Sequence, residues 1–132
     1  MIDNKKLILD ICNISIRAGN KTLEYYKDDI EVTHKNDSSP LTKADLASNK
    51  IIKNALHNLD TTIPILSEES LVDWNTRKSW NKYWLVDPLD GTKEFIKKNG
   101  EFTVNIALIE KNSPILRVIF APAKSLIYFA QK

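Results

Sequence analysis

Two aspartates three positions apart flank a proline in the stretch Val86-Asp87-Pro88-Leu89-Asp90-Gly91-Thr92. A strand reading Tyr83-Trp84-Leu85-Val86 is expected to end at Asp87, with Pro88 fixing φ for the bend and a helix starting around Thr92-Lys93-Glu94-Phe95. Carboxylates placed across such a bend converge on one point. Hard divalent cations such as Mg²⁺ take oxygen ligands at about 2.0–2.1 Å, and the Leu89 carbonyl could join the two Asp side chains. The N–H groups of Gly91 and Thr92, at a helix start, are suited to a phosphate. The alternative is an ordinary Asp-Pro-x-x-Gly turn, in which Asp90 caps a helix and Asp87 accepts turn hydrogen bonds. The stretch by itself does not separate the two.

Further acids bear on the choice. Ser67-Glu68-Glu69-Ser70 follows a brief strand, Ile63-Pro64-Ile65-Leu66, so Glu68 is expected at a strand end where neighbouring strands bring residues together. Taken alone, Glu68 and Glu69 read as a solvated surface pair. Asp45 lies three residues after Thr42, a capping-box spacing with Asp in place of Glu, at the start of a helix expected to run to about Asn58. As a helix-start carboxylate it reads first as a cap.

The elements that must hold these residues follow from periodicity. Leu7, Ile11, Ile14 and Ala18 recur at helical spacing between Asn4 and about Tyr26. Gly19 lies inside this helix at a cost of roughly 1 kcal/mol relative to Ala, marking either a close contact or the helix end. Ala44, Ala47, Ile51 and Ala55 stripe the second helix. Ile30 to Thr33 alternates like a short strand, and His34 to Pro40 is dense in turn formers and expected to be a mobile loop. Phe102 to Leu108 alternates with period two, and turns at Lys111-Asn112-Ser113-Pro114 and Pro122-Ala123-Lys124 lead to Ile115–Phe120 and Leu126–Ala130, a meander. Two helices followed by strands joined by tight turns predict an α+β fold, with both helices packed on a mainly antiparallel sheet. His34 and His57 read as surface or helix-end residues, and Trp74, Trp80 and Trp84 as packing around the sheet.

The chain has 132 residues, 42% apolar, with 19 Lys+Arg against 17 Asp+Glu. This size and balance fit one folded domain and exclude disorder as the main theme. Lysines scattered among acids, with Arg only at positions 17, 77 and 117, make nucleic acid a poor partner. A single cysteine, Cys12, excludes an internal disulfide and a Cys-based zinc site. No apolar run reaches the roughly 20 residues that span a bilayer, so a soluble, cytoplasmic protein is expected. Leu126 to Ala130 is apolar on both strand faces close to the carboxyl end, which predicts a fragment, a truncated product or a subunit needing a partner.

The chain resembles a known family in Leu66-Ser67-Glu68-Glu69, in Tyr83 to Phe95 around Asp87-Pro88-Leu89-Asp90-Gly91-Thr92, and in Thr42-Lys43-Ala44-Asp45. It is similar to the Mg²⁺-dependent, lithium-sensitive phosphatases of the inositol monophosphatase superfamily. Within that superfamily Lys93-Glu94-Phe95 and Asn99 to Asn105 are more like the 3′(2′),5′-bisphosphate nucleotidases of the CysQ type. The resemblance implies one half of a layered sugar-phosphatase fold and hydrolysis of adenosine 3′,5′-bisphosphate to AMP and phosphate with Mg²⁺. It implies that Glu68, Asp87 and the Leu89 carbonyl hold a first metal ion, and that Asp87 and Asp90 hold a second. Gly91 and Thr92 amides would hold the scissile phosphate, Asp45 with Thr92 would orient the attacking water, and Glu68 counts with them as catalytic. Asp90 and Lys93 complete the substrate contacts, Lys93 by steering an anion.

Full-length relatives are about twice this length and carry a Trp-Asp motif and a later Gly-Gly, absent here, whose Asp completes the second metal site. The expectation is therefore a single N-terminal phosphatase-type domain over 1–132, truncated, with the C-terminal half supplied by another chain, encoded downstream in another reading frame, or lost, and with that separate half or a further copy of the chain as the expected partner. The resemblance also allows peripheral association with the inner membrane. Two alternatives stand beside the nucleotidase: an inactive remnant that at most binds metal or phosphate, and an inositol monophosphatase.

Overall fold

Residues 4–27, 30–35 and 40–132 are described by a computed structural model. Helix α1 (Asn4–Tyr26) and helix α2 (Lys43–Leu59) lie against one face of a five-stranded sheet built from β3 (Ile65–Ser67), β4 (Lys82–Asp90), β5 (Thr103–Glu110), β6 (Ser113–Ala121) and β7 (Leu126–Gln131). The strands lie in chain order; β3 pairs parallel with β4, and every other neighbour is antiparallel. The α+β architecture predicted from sequence, with two helices on a mainly antiparallel sheet, is the one found.

Alternation along the strands determines which sheet face is covered. Trp84, Val86, Val104, Ile106, Leu108, Leu116 and Val118 point to the helices and are buried with Leu7, Ile11, Ile14, Ala18, Ile52 and Leu56. Burial at roughly 25 cal/mol per Å² of apolar surface makes this layer the main source of stability. Gly19 proves to be a close contact within α1, since a Cβ there would stand 2.5 Å from the Phe120 ring. A smaller apolar cluster of Ala44, Leu89, Phe95 and Phe102 sits under the first turn of α2.

Several expectations are corrected. The strand expected to stop at Asp87 runs on to Asp90, because an irregularity between Asp87 and Asp90 lets the chain bulge around Pro88 and pair again at Thr103. The strand expected at Ile63–Leu66 is shifted to Ile65–Ser67, since Ile65 to Ser67 are the residues that pair with Trp84 to Val86. The strand expected at Ile30–Thr33 is β1 (Val32–His34), half of a two-stranded ribbon with β2 (Pro40–Thr42). The core of the loop expected to be mobile, Asn36–Ser39, lies outside the described residues. Of the three tryptophans, Trp84 is in the core, whereas Trp74 is 62% exposed on a one-turn helix, α3 (Trp74–Arg77), beneath the Arg77 guanidinium. No helix among the described residues is long and apolar enough to cross a membrane.

Candidate active site

Asp45 is fixed by the capping box that its spacing from Thr42 predicts. The Thr42 N–H and hydroxyl both donate to Asp45 Oδ2, at 2.9 and 2.5 Å, and the Asp45 N–H returns a bond to the Thr42 hydroxyl. The other carboxylate oxygen, Oδ1, accepts from the Thr92 hydroxyl at 2.9 Å. Asp45 is fully buried, and a carboxylate so placed needs several donors to offset its lost hydration. One side chain therefore both caps α2 and anchors the Thr92 hydroxyl.

Thr92 opens helix α4 (Thr92–Lys97), whose N-cap is Gly91 at φ 91°. That left-handed conformation is easy only for glycine, and a Cβ there would stand 3.0 Å from the Glu101 carbonyl oxygen. The bend carries the chain from the β4 bulge directly into α4, setting Asp90, Gly91, Thr92 and Lys93 along one wall of a cleft of about 370 Å³. Lys35, Glu68, Glu69, Asp87 and Leu89 line the same cleft. Glu68 stands just past the end of β3, its N–H bonded to the Val86 carbonyl at 3.1 Å. The cleft therefore gathers Glu68, Asp87, Leu89, Asp90, Gly91, Thr92 and Lys93, and Asp45 reaches it through Thr92.

Charge inside the cleft is unbalanced. Burial, then the neighbouring Asp90 and Glu68 carboxylates, push the Asp87 carboxyl up to about 7, against a bond from the Leu89 N–H that favours its ionised form. Glu69 is nearly buried and pairs with Lys35 at 2.7 Å. Burial raises Glu69 even so, with the Lys35 pairing acting in the opposite direction. Burial, the largest single influence, pulls Lys35 down, but its bond to Glu69 and the negative charges of Glu69, Asp45 and Glu68 together leave it raised. Asp90 Oδ2 accepts from the Asn105 side-chain amide at 3.0 Å.

The donor set suits a hard cation: carboxylate and carbonyl oxygens, with an Asp87 carboxyl driven upward by burial and then by its like-charged neighbours. Among the described residues no three His, Cys, Asp or Glu side chains stand assembled as a metal cage. The set expected for the first ion uses two carboxylates and a main-chain carbonyl.

Four participants were given no site role in the sequence, and one of them, Glu69, read there as half of a solvated surface pair, is nearly buried against Lys35. Lys35 and Glu69 lie on the cleft wall, and Ser48 and Asn49 lie behind it. Asn49 and Ser48 had a legible signal, being the polar residues one helical turn after Asp45 on the same face. The Lys35–Glu69 contact spans 34 positions and had none.

Known proteins resemble this geometry in sequence and fold. The 3'(2'),5'-bisphosphate nucleotidase CysQ of Salmonella typhimurium is 47% identical over 126 residues, which is 94% of this chain and 51% of that protein. The crystal structure of CysQ from Bacteroides thetaiotaomicron, a bacterial member of the inositol monophosphatase family, matches with a TM-score of 0.82 and 42% identity, over 98% of this chain and 47% of that one. Staphylococcal inositol monophosphatase-1, at 17% identity and a TM-score of 0.87 over 99% of this chain, shares the fold. The chain spans about half the length of the curated relatives it matches. Residues 3–132 match the family model described as "Inositol monophosphatase family", and the chain belongs to that family.

Proposed function

We propose that this chain is the metal-binding half of a Mg²⁺-dependent 3′(2′),5′-bisphosphate nucleotidase, hydrolysing adenosine 3′,5′-bisphosphate to AMP and phosphate. The observation that carries the proposal is the shared cleft: Glu68, Asp87 and Asp90 line it together with the helix start at Gly91–Thr92. The nucleotidase name borne by relatives at 47% identity supports the substrate.

Glu68, Asp87 and the Leu89 carbonyl would hold one Mg²⁺, and Asp87 with Asp90 a second. When bound, the metal supplies a lowered water pKa and neutralises charge on the phosphoryl group. The chain's own residues do the rest. The Thr92 hydroxyl points its proton at Asp45, so its lone pairs are left for a hydrogen of the attacking water. As that water adds to phosphorus, its proton passes to Thr92 Oγ1 while the Thr92 proton passes to Asp45 Oδ1. The phosphorus–ester oxygen bond breaks, and the departing nucleotide oxygen takes a proton from solvent. The first N–H groups of α4 have no partner within the helix and would bind the phosphate oxygens, and exposed Lys93 would draw the anion in.

Phosphate release tests this in any active form of the protein. A higher kcat/KM for adenosine 3′,5′-bisphosphate than for an inositol phosphate is expected, and the reverse preference overturns the nucleotidase assignment. Mg²⁺ and substrate binding without turnover by the 132-residue chain would mark an inactive remnant.

A further inference from the structure

Three polar side chains one turn apart on α2 reach three separate segments of the cleft wall. Asp45, Ser48 and Asn49 fall on one helix face together with core residue Ile52, and all four are buried. Asp45 holds Thr92. The Ser48 hydroxyl donates to the Pro88 carbonyl at 2.7 Å, across 40 positions. A serine inside a helix ordinarily turns to its own backbone or to water; here it is fully buried and bonds the carbonyl in the middle of the Asp87–Asp90 bulge, where the β4–β5 register shifts. The Asn49 carbonyl oxygen accepts from the Ser67 hydroxyl at 2.6 Å, and its amide donates to the Ser70 hydroxyl at 2.9 Å. Asn49 therefore clasps both ends of the turn that contains Glu68 and Glu69. Ser67 also accepts from the Glu69 N–H at 3.2 Å, so the clasp extends to the turn backbone.

The sheet does only part of this task, its last β3–β4 main-chain bond being the one from the Glu68 N–H to the Val86 carbonyl. The β3–β4 ladder ends at Ser67 and Val86, one residue before Glu68 and one before Asp87. Beyond that point the separation of the two acid-bearing segments is no longer set by strand pairing alone. We infer that Ser48 and Asn49 are positioning residues: by bonding the Pro88 carbonyl and the Ser67–Ser70 turn from one rigid helix, they set the spacing of Glu68 from Asp87 and Asp90 and hence the affinity of the cleft for a divalent cation. This rests on the proposal that the cleft takes such an ion. Partners that orient ligands without touching the metal affect its binding strongly, their loss weakening it about 10–100-fold.

The test is calorimetric titration of the 132-residue chain with Mn²⁺, alongside thermal melting. Ser48→Ala and Asn49→Ala are each expected to weaken Mn²⁺ binding about 10-fold. Ile52→Val, on the same face of the same helix but in the apolar core, is expected to lower the melting temperature and leave Mn²⁺ affinity unchanged. If Asn49→Ala fails to fold, Ser67→Ala removes the same bond from the other side, and the same weakening is expected. Wild-type affinity in the Ser48 and Asn49 variants, with only their melting temperatures reduced, overturns the inference and leaves the metal assignment standing. A wild-type chain that binds no Mn²⁺ overturns the metal assignment, and the inference with it.

Discussion

The Thr92 hydroxyl donates to Asp45 Oδ1 at 2.9 Å, joining the first turn of α4 to the first turn of α2 across 47 positions. Asp45 Oδ2 is already taken by the Thr42 N–H and hydroxyl, so the Thr92 proton has a defined acceptor and its oxygen faces the cleft in a defined orientation. A hydroxyl held this way has the orientation that the proposed proton relay requires.

Thr92→Ala is expected to lower kcat for phosphate release by about 100-fold or more, the usual scale for a positioned proton-transfer group, with KM little changed. Thr92→Ser keeps the hydroxyl and is expected to retain most of the rate. A loss confined to KM would remove Thr92 from the chemistry and leave it a binding residue. The alanine variant is also expected to be less stable by about 1 kcal/mol, because buried Asp45 loses a donor.

Asp87 makes metal-free stability depend on pH. Its carboxyl titrates at about 7 in the fold against an ordinary value of 3.8. Between those values the folded chain holds a proton that the unfolded chain has released, so the contribution is complete below the lower value and is lost as pH rises through the upper one. With a chelator present, the melting temperature is expected to fall as pH rises from about 5.5 to about 8, and Asp87→Asn is expected to flatten that fall. Saturating Mg²⁺ is expected to restore wild-type stability at the upper pH, because a ligand of the folded state stabilises it. A melting temperature that climbs with pH in the chelated protein would contradict the burial of Asp87 and its crowding by Asp90 and Glu68.

Two glycines with positive φ separate strain from crowding. Gly91 (φ 91°) would place a Cβ 3.0 Å from a backbone oxygen, whereas Gly100 (φ 79°) meets only the Ala123 Cβ at 3.6 Å. Both alanine substitutions bear the left-handed conformation, on the order of 1–3 kcal/mol. Gly91→Ala adds a clash and shifts the start of α4, so it is expected to melt lower than Gly100→Ala and to lose phosphate release. Equal melting temperatures would show that the loop at Glu101 yields.

Lys35→Met removes the cation from a nearly buried Glu69. A buried carboxylate left unpaired costs about 1–3 kcal/mol or more, and Glu69 escapes that cost by taking a proton. The destabilisation measured by urea unfolding is therefore expected to be larger at high pH than at low pH. A pH-independent loss would assign the effect to packing of the Lys35 stem.

Much of this was legible in the sequence for physical reasons that can be named. Helical spacing from Leu7 to Ala18, strand alternation from Phe102 to Leu108 and the Thr42–Asp45 capping box are local signals, and the helices, the meander and the cap are found where these put them. Asp87 to Thr92 stood out because Pro and Gly punctuate a dense set of oxygen donors. Extension of β4 past Pro88 was not legible, since a bulge is decided by pairing with β5, about 15 residues later in sequence. Trp74 misled because large aromatics are usually packed, and its exposure follows from the one-turn helix that carries it. The ties of Lys35, Ser48 and Asn49 each join residues 18 or more positions apart, and no local pattern encodes such a partner.

The most direct measurement is the anomalous difference map of a crystal of this chain grown with Mn²⁺. The account predicts a peak within ligand distance, about 2.0–2.3 Å, of Glu68 and Asp87 carboxylate oxygens and the Leu89 carbonyl oxygen. Mn²⁺ bound elsewhere on the chain, with Glu68 and Asp87 turned apart at saturating metal, would contradict it.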